Sequence, residues 1–82
     1  MPNKILLADD HALVRDTLAQ YLGRAGGLAV LQASTLDEAL QINAAEGPFG
    51  LILLDYTMPG MNALEGLSRM LARSGCPVAL LS

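Results

Sequence analysis

Short apolar runs alternate along this chain with stretches whose apolar residues recur at helical spacing. Lys4 to Ala8 reads as a buried strand, and Ala12 to Arg24 reads as a helix marked by Val14, Leu18, Tyr21 and Leu22. Gly26-Gly27 breaks that helix, and Leu28 to Ala33 forms the second run. Thr35 and Glu38 have the S/T-x-x-E spacing of a capping box, which opens a helix reaching about Glu46, before the Gly47-Pro48 stop. Leu51 to Leu54 is a third strand, Leu64, Leu67 and Leu71 mark a helix ending near Gly75, and Pro77 to Leu81 is a fourth strand.

Strands apolar on both faces, alternating with amphipathic helices, predict a mainly parallel sheet covered on both sides and joined by right-handed crossovers. The pattern is β-α-β-α-β-α-β within one domain, residues 1–82, with no internal repeat. Its 82 residues lie near the lower limit for a self-supporting core. A hydrophobic share of 52% against 16% charged is a packed-core composition, which argues against disorder.

Charge and cysteine content exclude several functions. Net charge is −3, and the basic residues (Lys4, Arg15, Arg24, Arg69, Arg73) are scattered without interleaved aromatics, so no footprint for nucleic-acid phosphates is present. One cysteine, Cys76, forms no internal disulfide, and no Cys/His cluster has zinc spacing. The first apolar run stops at Asp9, too short for a signal segment or membrane span, and a cytoplasmic location is expected.

Asp9 and Asp10 follow the first strand and Asp55 follows the third, placing three carboxylates at the carboxyl ends of parallel strands. Ligands bind at that edge, in the crevice formed where the crossover direction reverses. Carboxylates brought together require proton uptake or a cation, and Mg²⁺ suits a shallow oxygen site that retains water. A carboxylate is also a possible nucleophile toward a phosphoryl group. Asp55 is the candidate, since Met58-Pro59-Gly60 turns the chain away and leaves it accessible. Each acid taken singly is more often a solvated turn or cap residue; their joint placement is the specific signal.

Lys4 to His11 (KILLADDH) with Arg15, and Asp55 to Asn62 (DYTMPGMN), resemble the receiver domains of two-component response regulators, most closely those of LuxR-type, NarL-like transcriptional regulators. The resemblance spans the chain and implies a flavodoxin-like (CheY-like) α/β fold cut short after the fourth strand, with strand order 2-1-3-4. It implies that Asp55 is the phosphoacceptor, Asp10 a direct Mg²⁺ ligand, Asp9 a ligand through water, the Thr57 carbonyl a third protein ligand, and Ser82 the hydroxyl contacting the phosphoryl group. The donor would be a histidine kinase, and the module itself would not be an enzyme.

The family pattern continues through a fourth helix, a lysine-bearing fifth strand and a fifth helix, which have no counterpart here, and the single lysine, Lys4, opens the first strand. Ala63 stands where receivers usually have glycine. These departures raise an alternative: a truncated, phosphorylation-incompetent receiver acting as an oligomerisation or interaction module. In either case an uncovered fourth strand is expected to associate with a second copy into a homo-oligomer. A haloacid-dehalogenase-like phosphotransferase would need a second Asp two residues after the nucleophile, where Thr57 stands. His11 is expected to be a solvated polar residue, Tyr21 a core-edge residue, and Cys76 and the methionines other than Met58 packing residues.

Overall fold

A computed structural model of the chain describes residues 3–24, 26–62 and 64–81. Four five- or four-residue strands alternate with three helices: β1 (Lys4–Ala8), α1 (Ala12–Gly23), β2 (Ala29–Ala33), α2 (Leu36–Glu46), β3 (Leu51–Asp55), α3 (Leu64–Ser74) and β4 (Val78–Leu81). All pairings are parallel, as the alternation of apolar runs and helical stripes predicts, and the sheet order is β2-β1-β3-β4, the order that the family resemblance implies.

The two faces of the sheet are covered unequally. Leu6, Ala8, Ala33, Ile52 and Leu54 point to one side, where they pack with Leu36, Ala39 and Leu40 of α2, Met70 of α3, and Phe49, Met58 and Met61 of the loops. These residues form the fully enclosed core. Ile5 and Leu7 point to the other side, which α1 covers by lying over β1 and β2. On the β3–β4 half of that side Leu53 and Leu81 are only half-buried and Ala79 is exposed. Both faces are covered, one by a complete layer and the other by a partial layer that leaves the β3–β4 half more open, in keeping with the uncovered fourth strand expected from sequence.

The partial layer explains why α1 buries none of its residues. Val14 is 48% exposed and Tyr21 73%, so Tyr21 is a surface residue and not a core-edge one. In α3 the leucine stripe also misidentifies the inner face: Leu64 and Leu71 are exposed, while Gly66 and Met70 are buried. A glycine faces inward because the turn before α3 lies against it. The Gly66 amide donates to the Met61 carbonyl at 2.7 Å, and a Cβ at Gly66 would lie 2.7 Å from that oxygen and 2.8 Å from Met61 Cα.

Local capping sets the start of α2. Thr35 Oγ1 accepts the Glu38 amide at 3.1 Å, but Glu38 Oε1 reaches back to the Ser34 amide, one residue earlier than in a standard capping box. The Met-Pro-Gly turn is fastened to the same place, since the Leu36 amide donates to the Pro59 carbonyl at 3.1 Å. Gly60 has φ +91° and sits against Leu36 Cβ, a conformation and approach suited to glycine. Asn62 itself adopts φ 47°; Ala63 lies outside the described residues.

An alanine at a helical glycine ordinarily stabilises by about 1 kcal/mol. Gly66→Ala should do the opposite, losing about 1–3 kcal/mol through overpacking against backbone. Urea unfolding measures it; a stabilised variant would contradict the tight Met61–Gly66 contact.

Candidate functional site

Two backbone ladders run past the strand ends and hold the acids. The Asp9 amide donates to the Ala33 carbonyl at 3.0 Å, extending the β1–β2 ladder, and the Tyr56 amide donates to Leu81 at 2.9 Å, extending β3–β4. Between them the β1–β3 register pairs Ala8 with Leu54, so the next residues, Asp9 and Asp55, stand side by side on the α1 face. Both are buried, at 4% and 6% exposure, whereas Asp10 lies further out.

Each carboxylate is oriented by a short-range contact. Asp55 Oδ1 accepts both the Thr57 amide and the Thr57 hydroxyl at 3.0 Å, a turn that fixes the side chain. Asp9 Oδ1 accepts the His11 amide at 2.8 Å. Arg15, one turn into α1, donates from Nη1 to the Asp9 carbonyl at 2.8 Å and from Nε to Gln32 Oε1 at 2.9 Å. The guanidinium therefore ties the Asp9 backbone to β2 and is directed away from the carboxylates. Sequence motifs mark Arg15 but not this role, and Gln32 has no sequence signal at all.

Four residues bring donor atoms together. One oxygen from each of Asp9, Asp10 and Asp55 and one nitrogen of His11 all lie within 4.8 Å of one another. His11 Nδ1 is 3.0 Å from Asp9 Oδ1, 3.2 Å from Asp10 Oδ1 and 3.5 Å from Asp55 Oδ2. His11 is exposed, as expected for a solvated residue, yet its ring turns inward over the acids. The reason is local: the turn that caps Asp9 with the His11 amide also places the imidazole above it.

Burial pushes the Asp55 carboxyl upward, but the Thr57 amide and hydroxyl, joined by contacts with the Asp10 and Asp9 carboxyls, outweigh it and hold the group below its ordinary value. His11 is raised above its ordinary value, first by the hydrogen bond to Asp9 and then by the charges of Asp10, Asp9 and Asp55 against some desolvation.

Asp9 and Asp55 border a cleft of about 350 Å³ whose other wall is apolar, formed by Val14, Leu18 and Leu81. Lys4 lies at the opposite end of β1, where its ammonium meets the Glu46 carbonyl and stacks 5.1 Å from the Phe49 ring centre. No lysine therefore reaches the acids among the described residues. Thr57, named from sequence for its carbonyl, contributes its amide and hydroxyl to Asp55. Ser82 lies outside the described residues.

The family model for the response regulator receiver domain matches residues 5–82. The chain is 43% identical over 70 residues to the transcriptional activator protein ExaE of Pseudomonas putida, covering 84% of this chain and 32% of that protein. It is 38% identical over 74 residues to the nitrate/nitrite response regulator NarL of Escherichia coli K12, covering 89% of this chain and 34% of the relative. The chain thus spans about a third of the length of these curated relatives. A chain in the crystal structure of the P1 domain of CheA3 with CheY6 from R. sphaeroides superposes with a TM-score of 0.82 at 32% identity, covering 99% of this chain and 64% of that one.

Thr57→Val should remove one of the bonds that lower Asp55, so its carboxyl will titrate closer to the ordinary carboxylate value. Because the folded-state value is depressed, the wild-type advantage, about 1–2 kcal/mol, is present above the unfolded value and closes as pH falls through the folded one. Chemical denaturation in chelator across that range checks the sign; a gap that widens in acid would contradict it.

Proposed function

Because the chain belongs to the response regulator receiver family, we propose that it is a receiver module that accepts a phosphoryl group on Asp55 from a histidine kinase, with Mg²⁺ held beside the acceptor. The observation that carries this reading is the buried, Thr57-oriented Asp55 carboxylate, set level with Asp9 at the rim of an open cleft and within 4.8 Å of an Asp10 oxygen. Similarity to ExaE and NarL supports the LuxR-type, NarL-like branch. Similarity to a chain of the CheA3 P1–CheY6 complex supports a protein donor.

The donor set fits a small hard cation, since three carboxylates converge with little else to offset their charge. Asp10 and Asp55 would hold it directly, Asp9 through water, and Thr57 through its carbonyl. When bound, the cation neutralises charge on the transferring phosphoryl oxygens. The chemical step belongs to Asp55. One carboxylate oxygen attacks the phosphorus of a phosphohistidine, the P–N bond breaks, and the imidazole leaves with its electron pair and takes a proton from solvent. Thr57 keeps the acceptor turned toward the cleft and the Arg15–Asp9 bond keeps the rim in place, while the family resemblance assigns the hydroxyl that would contact the transferred group to Ser82. The module has no catalytic turnover of its own and works in the cytoplasm, residues 1–82 acting as one unit. Its basic residues are scattered, so residues 1–82 would not themselves bind nucleic acid.

Incubation with Mg²⁺ and a small acyl phosphate, followed by intact mass, should show one phosphoryl adduct that hydroxylamine removes. Asp55→Asn should show none. An adduct that persists in that variant would sink the assignment of Asp55.

Self-association belongs to the same reading. Among the described residues β4 is an outer strand whose free edge lies beside half-buried Leu81 and exposed Ala79, and such edges pair with another copy. Light scattering should give the mass of a dimer at micromolar concentration; a monomer would contradict it.

A further inference from the structure

We propose that His11 is a nitrogen ligand of the acidic site and gives it a preference for first-row transition ions such as Ni²⁺ over Mg²⁺. This rests on the reading of Asp9, Asp10 and Asp55 as a metal site and concerns which metal they prefer.

The geometry is that of a coordination shell. Around one small cation with metal–ligand bonds near 2.1 Å, neighbouring donors stand about 3.0 Å apart in an octahedron and about 3.4 Å apart in a tetrahedron. His11 Nδ1 is 3.0, 3.2 and 3.5 Å from oxygens of Asp9, Asp10 and Asp55. Beyond its hydrogen-bond contact with Asp9, the nitrogen therefore stands at neighbour distance from Asp10 and Asp55, the two direct carboxylate ligands, which come from two different strand ends. A histidine that merely capped Asp9 would need only the first of these contacts.

Donor chemistry then decides the preference. Mg²⁺ favours oxygen and gains little from imidazole, whereas affinity for nitrogen-containing sites rises along the first row toward Ni²⁺ and Cu²⁺. Replacing one oxygen or water position by imidazole should strengthen Ni²⁺ binding and leave Mg²⁺ almost unchanged. The ring is exposed on its outer side, so it reaches the ligand position without burying a charge. His11 is the single histidine of the chain, which removes ambiguity about the source of a nitrogen signal.

The test is calorimetric titration of the wild type, His11→Asn and Asp10→Asn with Ni²⁺ and with Mg²⁺, together with NMR of the histidine ring. In the wild type, one equivalent of Ni²⁺ should bind, displace Mg²⁺ and broaden the His11 ring signals. His11→Asn should lose about tenfold or more in Ni²⁺ affinity while Mg²⁺ affinity changes less than about threefold, and Asp10→Asn should weaken both. Unchanged Ni²⁺ affinity in His11→Asn overturns the inference, and so does an equal loss for both ions, which would make His11 a support for Asp9. A wild type that binds Mg²⁺ but shows either result leaves the receiver reading standing. A wild type that binds neither ion removes the metal site and the inference with it.

Discussion

Two neighbouring parallel strands, β1 and β3, are locked in a register that pairs Ala8 with Leu54, and everything at the site depends on that register. It sets Asp9 level with Asp55, and a slip of one residue would send one of them to the opposite face of the sheet. The enclosed core on the α2–α3 side enforces it, because Leu6, Ala8, Ile52 and Leu54 must all point inward together. The hydrophobic pattern of two strands thus positions the polar residues that follow them. Packing and chemistry are one constraint in this chain.

Grouping carboxylates has an electrostatic cost. Two unit charges about 4 Å apart repel by roughly 4 kcal/mol at the screening typical of a protein surface. The chain offsets part of this with local donors: two bonds from Thr57 to Asp55, the His11 amide and ring on Asp9, and Arg15 on the Asp9 backbone. Since Arg15 is spent on a carbonyl and on Gln32, and Lys4 is bound at the far end of β1, the carboxylates keep a net negative field toward the cleft. That field favours a cation.

Much of this was legible in the order of residues. The apolar runs located every strand to within a residue or so, and the Asp9-Asp10 and Asp55 positions at their ends marked carboxylates that the fold brings together. Side-chain burial was less legible. Leucine spacing singled out Leu64 and Leu71, but the close Met61–Gly66 approach turns α3 so that a glycine and Met70 face the core. Val14 and Tyr21 kept helical periodicity without burial because α1 covers only β1 and β2. The inward turn of His11 is invisible to periodicity, since it comes from a two-residue hydrogen-bonded turn. Thr57 was marked for its carbonyl, while its hydroxyl and amide make the contacts that orient Asp55.

A chain spanning about a third of its curated relatives groups Asp9, Asp10 and Asp55 at one edge of the sheet, with β4 as an outer strand and Lys4 at the opposite end of β1. The central claim is that Asp9, Asp10 and Asp55 act together on one cation beside the acceptor. Crystals grown with Mn²⁺ in place of Mg²⁺ and measured for anomalous scattering test it most directly. A single strong peak between the Asp10 and Asp55 carboxylates, next to Asp9 and above the Thr57 turn, is the predicted result. An empty pocket at saturating Mn²⁺, or a peak away from these three acids, would contradict it.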